Sequence, residues 1–169
     1  LSASSAFHSP HKMPKRTIQQ WFDAYGVSHQ NSTNKAIHWI CVPVIYFCVV
    51  GFLWSIPVPD LPPLFTPHLW AKIAVGLVCL FYLRLSFPIM LGMALWSIAC
   101  LAGCAWLDAH APWPLWTISL VLFIAAWIGQ FYGHKIEGAK PSFLEDLQFL
   151  MIGPAWLMGS IFRRFGLGY

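Results

Sequence analysis

The stretch AIHWICVPVIYFCVVGFLWSI, residues 36–56, runs for 21 residues without an aspartate, glutamate, lysine or arginine. At about 1.5 Å per residue, a helix over this stretch is long enough to cross the roughly 30 Å hydrocarbon core of a membrane. Composition points the same way, because hydrophobic residues make up 58% of the chain and charged residues only 9%, against about 25% charged in a soluble domain. A soluble fold of this length has no interior for so much apolar surface, so we predict an integral membrane protein.

Further apolar stretches are separated by turns that contain proline or charged residues: Leu69 to Leu83, Leu85 to Leu107 and Leu115 to Tyr132. A shorter one, residues 147–162, carries Gly153-Pro154 in its middle, which favours a re-entrant or interfacial helix over a full crossing. We therefore predict an all-α, polytopic transmembrane helix bundle with about four spanning helices plus this C-terminal helix. Residues 21–162 are expected to form a single transmembrane domain between a polar N-terminal tail, 1–20, and a short basic tail, 163–169.

Basic residues are unevenly distributed if the chain crosses the membrane four times. One face then receives nine of the ten lysines and arginines, and the other face receives only Lys72. Lysine and arginine favour the cytoplasmic side, so we predict a multi-pass protein with both termini in the cytoplasm. A bacterial inner membrane is the expected location in preference to the endoplasmic reticulum. The net charge of +4 is small and scattered, which indicates a lipid bilayer, and no nucleic acid, as the partner.

Three histidines fall on the predicted cytoplasmic face: His29 and His38 flank the start of the first span, and His134 ends the fourth. His68 and His110 belong to the opposite face. Polar groups at membrane depth are unfavourable and tend to be functional, so the three together predict a metal or catalytic site. Each one alone is also typical of an ordinary residue of the membrane interface.

Spacing adds two polar neighbours to these histidines. Asn34 lies four residues before His38, and Glu137 lies three residues after His134, so each pair shares a helix face. Di-iron bundles use a carboxylate and a histidine at this separation, although in the reverse order. Asn34 is alternatively a helix cap. A G-x-x-x-G pattern, Gly129 and Gly133, is expected to let another helix approach closely just below His134.

Two stretches resemble one family of small membrane proteins, which includes the fungal 2-hydroxy fatty acid dioxygenase. The first stretch is Tyr25 to Pro43, with His29-x4-Asn34-x3-His38 and Val42-Pro43. The second is Gln130 to Pro154, with Gly133-His134, Glu137-Gly138, Pro141, Leu144, Asp146-Leu147 and Gly153-Pro154. Just after Pro141, Ser142-x-x-Glu145 reads as a capping box for the final helix. Between the two stretches only the hydrophobic character of the spans is similar.

The resemblance implies an iron(II)-dependent dioxygenase that shortens a long-chain 2-hydroxy fatty acid by one carbon. It implies His29, His38 and His134 as metal ligands and catalytic residues, with Glu137 assigned less firmly. A 2-hydroxy acid and dioxygen give the shorter acid, carbon dioxide and water, which balances without a reductant. Accordingly, no flavin or nicotinamide site is needed, and no G-x-G-x-x-G is present. The residues expected to bind the substrate are Asn34, Lys35, Arg84 and Lys135.

Other functions stay open on the residues alone. A non-enzymatic lipid-binding protein or a small transporter would use the histidines as proton-carrying or interfacial groups. Haem binding through two histidines is a further possibility. Arg84, at a turn between two spans, is either a topology anchor or a partner for a lipid carboxylate.

Overall fold

The computed structural model describes residues 16–59, 67–141 and 148–169, and within them the chain is helical, with no strand. The helices are α1, Ile18–Gly26; α2, Ser32–Trp54; α3, Leu69–Leu83; α4, Phe87–His110; α5, Leu115–Glu137; and α6, Phe149–Arg164. The predicted all-α membrane bundle is confirmed. Most of the polar tail, the capping box after Pro141 and the first residue of the last apolar stretch lie outside the described residues. The division into one domain and two tails stays a prediction.

Three of these helices are long and apolar enough to cross a membrane: α2, α4 and α5, with 23, 24 and 23 residues. Helix α3 is apolar but has only 15 residues, which is roughly 22 Å and shorter than the hydrocarbon core of about 30 Å. Length and composition therefore support three crossings directly. The fourth crossing, through α3, stays a prediction.

Helix α2 begins four residues earlier than the apolar stretch suggests, because Asn31 caps it. The Asn31 side chain accepts hydrogen bonds from the backbone N–H groups of Thr33 and Asn34, which have no partner within the helix. At the other end of the bundle, α5 continues past Tyr132 to Glu137 and stops at Gly138, whose φ is 74°. The earlier start of α2 and the later end of α5 therefore place Asn34, His134 and Glu137 on regular helix.

Helix α2 lies at the centre of the bundle and packs on α3, α4 and α5, while α6 packs on α1, α2 and α4. At one end, His68 stacks on Trp54 and its Nδ1 bonds the Trp54 carbonyl at 3.0 Å, so α3 starts where α2 ends. At the opposite end, the Tyr82 hydroxyl donates to the Met151 carbonyl at 2.6 Å, so α3 ends beside the start of α6. The candidate site lies at this second end.

Glycines allow α2 and α5 to approach closely below His134. A Cβ at Gly129 would lie 2.8 Å from the Cys41 sulfur, and a Cβ at Gly133 would overlap the Asn34 side-chain oxygen. Real Cβ atoms do not approach other atoms so closely, so larger residues would force the helices apart. The close approach expected from the G-x-x-x-G pattern is therefore present, and it is α2 that approaches.

Candidate metal centre

His29, His38 and His134 form one compact cluster, which we call the histidine triad. Their ring centroids are 4.4 Å apart for His29 and His38, 5.0 Å for His29 and His134, and 4.9 Å for His38 and His134. One nitrogen of each ring lies within 4.8 Å of the others. All three side chains are buried, with exposures of 1%, 1% and 5%. The fold thus brings together residues that the sequence separates by about a hundred positions.

Two backbone carbonyls orient the first two rings. His29 Nδ1 lies 2.7 Å from the Tyr25 carbonyl oxygen, and His38 Nδ1 lies 2.9 Å from the Asn34 carbonyl oxygen. A carbonyl can only accept a hydrogen bond, so each Nδ1 carries the proton. Each Nε2 then keeps a lone pair on the side of the ring away from that carbonyl. The Tyr25 ring also stacks on His29 with 4.1 Å between centroids. Metal-binding histidines are commonly oriented by this kind of outer hydrogen bond.

The inward nitrogens of the triad lack partners. Among the described residues, no group bonds Nε2 of His29, Nε2 of His38 or Nδ1 of His134, although all three atoms are buried. An unsatisfied buried polar atom costs about 1–3 kcal/mol. Burial, and second the nearby His38, lowers the pKa of His29 to about 3, so this ring is neutral at neutral pH, as ligation requires. Three neighbouring rings, each with a buried nitrogen that lacks a hydrogen-bond partner among the described residues, fit a bound metal ion.

Glu137 lies beside the triad but its carboxylate turns to the start of α2. One oxygen accepts from Gln30 N at 2.7 Å, and the other accepts from Asn31 N at 2.9 Å and from Asn34 Nδ2 at 3.0 Å. Asn34 Nδ2 also donates to the Ser28 carbonyl at 3.2 Å. Glu137 and Asn34 therefore tie the end of α5 to both the start of α2 and the loop that carries His29. We call these contacts the Glu137 latch.

None of the three basic residues expected at the substrate is buried with the histidines. Lys35 is half-buried, and Arg84 and Lys135 are exposed. None of the three lines the apolar cavity that adjoins the triad. They lie at the same end of the bundle, where Arg84 follows α3 and Lys135 follows His134 in α5.

This cavity has a volume of about 290 Å³ and begins at His29 and His134. Its walls are mostly apolar side chains from α2, α3 and α5, with the first turns of α6 at the triad end. Two polar side chains that sequence reasoning missed border it at this end, Tyr25 and Gln130. Burial raises the pKa of Tyr25, so its hydroxyl keeps its proton and is available as a hydrogen-bond donor.

One sequence signal was available for Tyr25. It stands four residues before His29, as Asn34 stands four residues before His38, and in both cases the earlier residue supplies the carbonyl that holds the ring. The stretch from Thr17 to Gly26 did not show as a helix in the hydropathy pattern. Its amphipathic helix α1, which begins with a Thr17–Gln20 capping box, places Tyr25 against the triad.

Fold and site together define a helical membrane protein with a buried three-histidine centre at one end of an apolar cavity. The chain belongs to the family described as 2-hydroxy-palmitic acid dioxygenase Mpo1-like, whose model matches residues 15–165. The family resemblance read from the two ends of the sequence is therefore confirmed. No curated protein and no solved structure matches the chain significantly.

Proposed function

We propose that this protein is an iron(II)-dependent dioxygenase that converts a long-chain 2-hydroxy fatty acid and dioxygen to the acid one carbon shorter, carbon dioxide and water. The observation that carries the proposal is a cluster of three buried imidazole rings, each with a nitrogen that has no partner among the described residues. Two of these rings, His29 and His134, line the end of an apolar cavity. Family membership supplies the reaction class, because the family is described by a 2-hydroxy-palmitic acid dioxygenase.

The donor set limits which metal fits. Neutral imidazoles suit iron, copper, nickel and zinc, and zinc has no redox chemistry. A dioxygenase description therefore favours a redox metal, and iron(II) bound by His29, His38 and His134 would bind the substrate's oxygens and activate dioxygen. The triad supplies no negative charge, since all three ligands are neutral rings. An anionic carboxylate is a complementary ligand for such a site.

The remaining residues have supporting roles in this proposal. Tyr25 donates its hydroxyl hydrogen to a substrate oxygen beside the triad, and Gln130 offers a second polar contact. Glu137 and Asn34 act as positioning residues through the latch. Lys35, Arg84 and Lys135 attract the carboxylate from the headgroup region, because charges outside a cavity act on approach more than on binding.

The proposed orientation places the triad at the cytoplasmic face of the membrane. The nine-to-one distribution of basic residues supports four crossings with both termini in the cytoplasm. In that arrangement an amphiphilic substrate keeps its carboxylate at headgroup level while its tail stays in an apolar environment. A bacterial inner membrane is the proposed location.

Metal analysis and turnover test this function together. Purified protein is expected to retain about one iron per chain without a haem absorption band, and to consume dioxygen with a long-chain 2-hydroxy acid while the lipid product loses one carbon. The unhydroxylated acid is expected to be inert because it lacks the second chelating oxygen. A protein that retains no metal and consumes no dioxygen would instead be a lipid-binding protein or transporter.

A further inference from the structure

The apolar cavity extends well beyond the metal centre. It reaches Val50 in α2 and Phe123 in α5, and from His134 to Phe123 the chain runs eleven residues of regular helix, or roughly 16 Å. On α3, which runs in the opposite direction to α2, the cavity reaches Ala74, close to the helix start beside Trp54. Val50, Ala74 and Phe123 therefore form its far end, which we call the cavity floor.

The polarity of the cavity changes along its length. Tyr25, Gln130, His29 and His134 line one end, while the floor is apolar. The one hydroxyl near the middle, that of Tyr46, is already bonded to Ser97 Oγ at 2.7 Å. A ligand of matching polarity has a polar head at the triad and an apolar tail pointing away from it.

The length of the cavity matches one kind of tail. Its roughly 16 Å depth is close to half of the roughly 30 Å hydrocarbon core of a bilayer, which is the part that one leaflet's acyl chains fill. Among the described residues, α3 and α5 flank α2 but share almost no contacts with each other. With α3 crossing the membrane as predicted, the side of the cavity between α3 and α5 would face the bilayer, where an acyl tail already resides.

We infer that this cavity binds the acyl tail of the substrate and that the cavity floor sets the longest tail accepted. The inference rests on the proposed function for the identity of the head group, but the tail site stands on the cavity itself. Tails that end before the floor fit without rearrangement. Longer tails meet Val50, Ala74 and Phe123 and must bend out between α3 and α5.

Ala74 is the sharpest position for a test, because it is the smallest floor residue. Ala74→Phe would fill the floor, so a long tail would overpack the cavity while a medium tail would still fit. Overpacking of an apolar interior costs about 1–3 kcal/mol, which corresponds to a roughly 5- to 150-fold fall in the ratio of long-chain to medium-chain turnover. Gly76→Phe is the matched control, since it adds the same ring to the same helix two residues away. A Cβ at Gly76 meets nothing within 4 Å. Phe123→Ala changes the floor in the opposite sense and should extend the accepted tail.

Two readouts in lipid nanodiscs separate this inference from the proposed function. The first is turnover of 2-hydroxy acids of medium and long chain. The second, on the protein as purified, is photolabelling by unhydroxylated fatty acids with a diazirine at the tail end, with and without excess unlabelled acid. We expect the long-chain probe to label the floor in a competable way, and Ala74→Phe to abolish this labelling while a medium-chain probe still labels. Gly76→Phe should behave as the unmodified protein.

Each outcome decides one of the two ideas. If no 2-hydroxy acid is turned over but competable labelling responds to Ala74→Phe, the dioxygenase proposal falls and the tail site stands. If turnover persists while floor labelling is not competable, or if Ala74→Phe and Gly76→Phe give the same chain-length profile, the tail site is wrong. Should Ala74→Phe fail to fold, an unchanged preference in Phe123→Ala overturns the inference equally.

Discussion

Replacing Glu137 by glutamine tests whether the latch controls the metal centre. The carboxylate accepts three hydrogen bonds, from Gln30 N, Asn31 N and Asn34 Nδ2, at 2.7, 2.9 and 3.0 Å. A buried hydrogen bond to a charged group contributes about 1.5–3 kcal/mol. Glu137 is only half-buried, so water can replace part of the hydrogen-bond energy when the latch is lost. We therefore expect the three bonds together to contribute about as much as one fully buried bond, about 1.5–3 kcal/mol. Glutamine keeps the size of the side chain but turns an N–H₂ group towards donors.

The latch reaches the metal through Asn34 and through the loop before α2. Asn34 holds His38 by its carbonyl and holds the Ser28 carbonyl by its amide, and Ser28 precedes His29. Loss of an outer partner of a metal ligand typically weakens metal affinity about 10- to 100-fold. We expect Glu137→Gln to weaken iron binding by that factor without removing the site.

A competition titration against a chromophoric chelator measures this affinity. Asp23→Asn is the matched control, because Asp23 is an exposed acid in α1 whose carboxylate bonds only the nearby Gln19 at 2.7 Å among the described residues, and its affinity should match the unmodified protein. Unchanged affinity in Glu137→Gln would show that the latch does not control the metal centre. Complete loss of binding, equal to that of a triad variant, would make Glu137 a direct ligand.

Three further predictions follow from the same geometry. Alanine at any member of the histidine triad should abolish iron retention, whereas His110→Ala should not. Iron analysis of purified variants checks this, and loss of iron in the His110 variant alone would mean that the metal binds at the opposite end of the bundle. Tyr25→Phe should raise KM for 2-hydroxy acids about 10- to 150-fold, because one hydrogen bond to a charged group, about 1.5–3 kcal/mol, is lost, and an unchanged KM and kcat would exclude a contact with substrate. A single cysteine at Ser32 should react with a membrane-impermeant thiol reagent only from the cytoplasm and one at Pro112 only from the other side; the reverse pattern would invert the proposed topology.

The sequence was sufficient for the bundle and for the triad because both depend on long-range regularities. An uncharged run of 21 residues defines a spanning helix whatever its neighbours are. Four successive helices, α2 to α5, run from His38 near the start of α2 to His134 near the end of α5, and an even number of helices returns both residues to one end of the bundle. Gly129 and Gly133 predicted the close approach of a second helix, because glycine has no side chain to hold a neighbouring helix at a distance.

The hydrogen-bond partners of the site residues could not be predicted from the sequence, because they depend on how each helix is rotated about its axis. Glu137 shares a helix face with His134 as its spacing indicated, yet its oxygens bond the N–H groups of the α2 start. The helix cap is Asn31, three residues before the predicted candidate Asn34. Arg84 and Lys135 carry the correct charge for a carboxylate but stay exposed. Residue type alone does not distinguish a charge inside a cavity from one beside it.

The triad also joins distant parts of the chain. Its members come from the loop before α2, from α2 itself and from the end of α5, so a bound ion acts as a crosslink across a loop of about a hundred residues. An ion that binds the native triad and ignores the unfolded chain stabilises the fold by about 2.7 kcal/mol when its free concentration is about a hundredfold above its Kd. If the triad holds the proposed ion, metal supply would therefore affect the lifetime of the protein in the membrane as well as its activity.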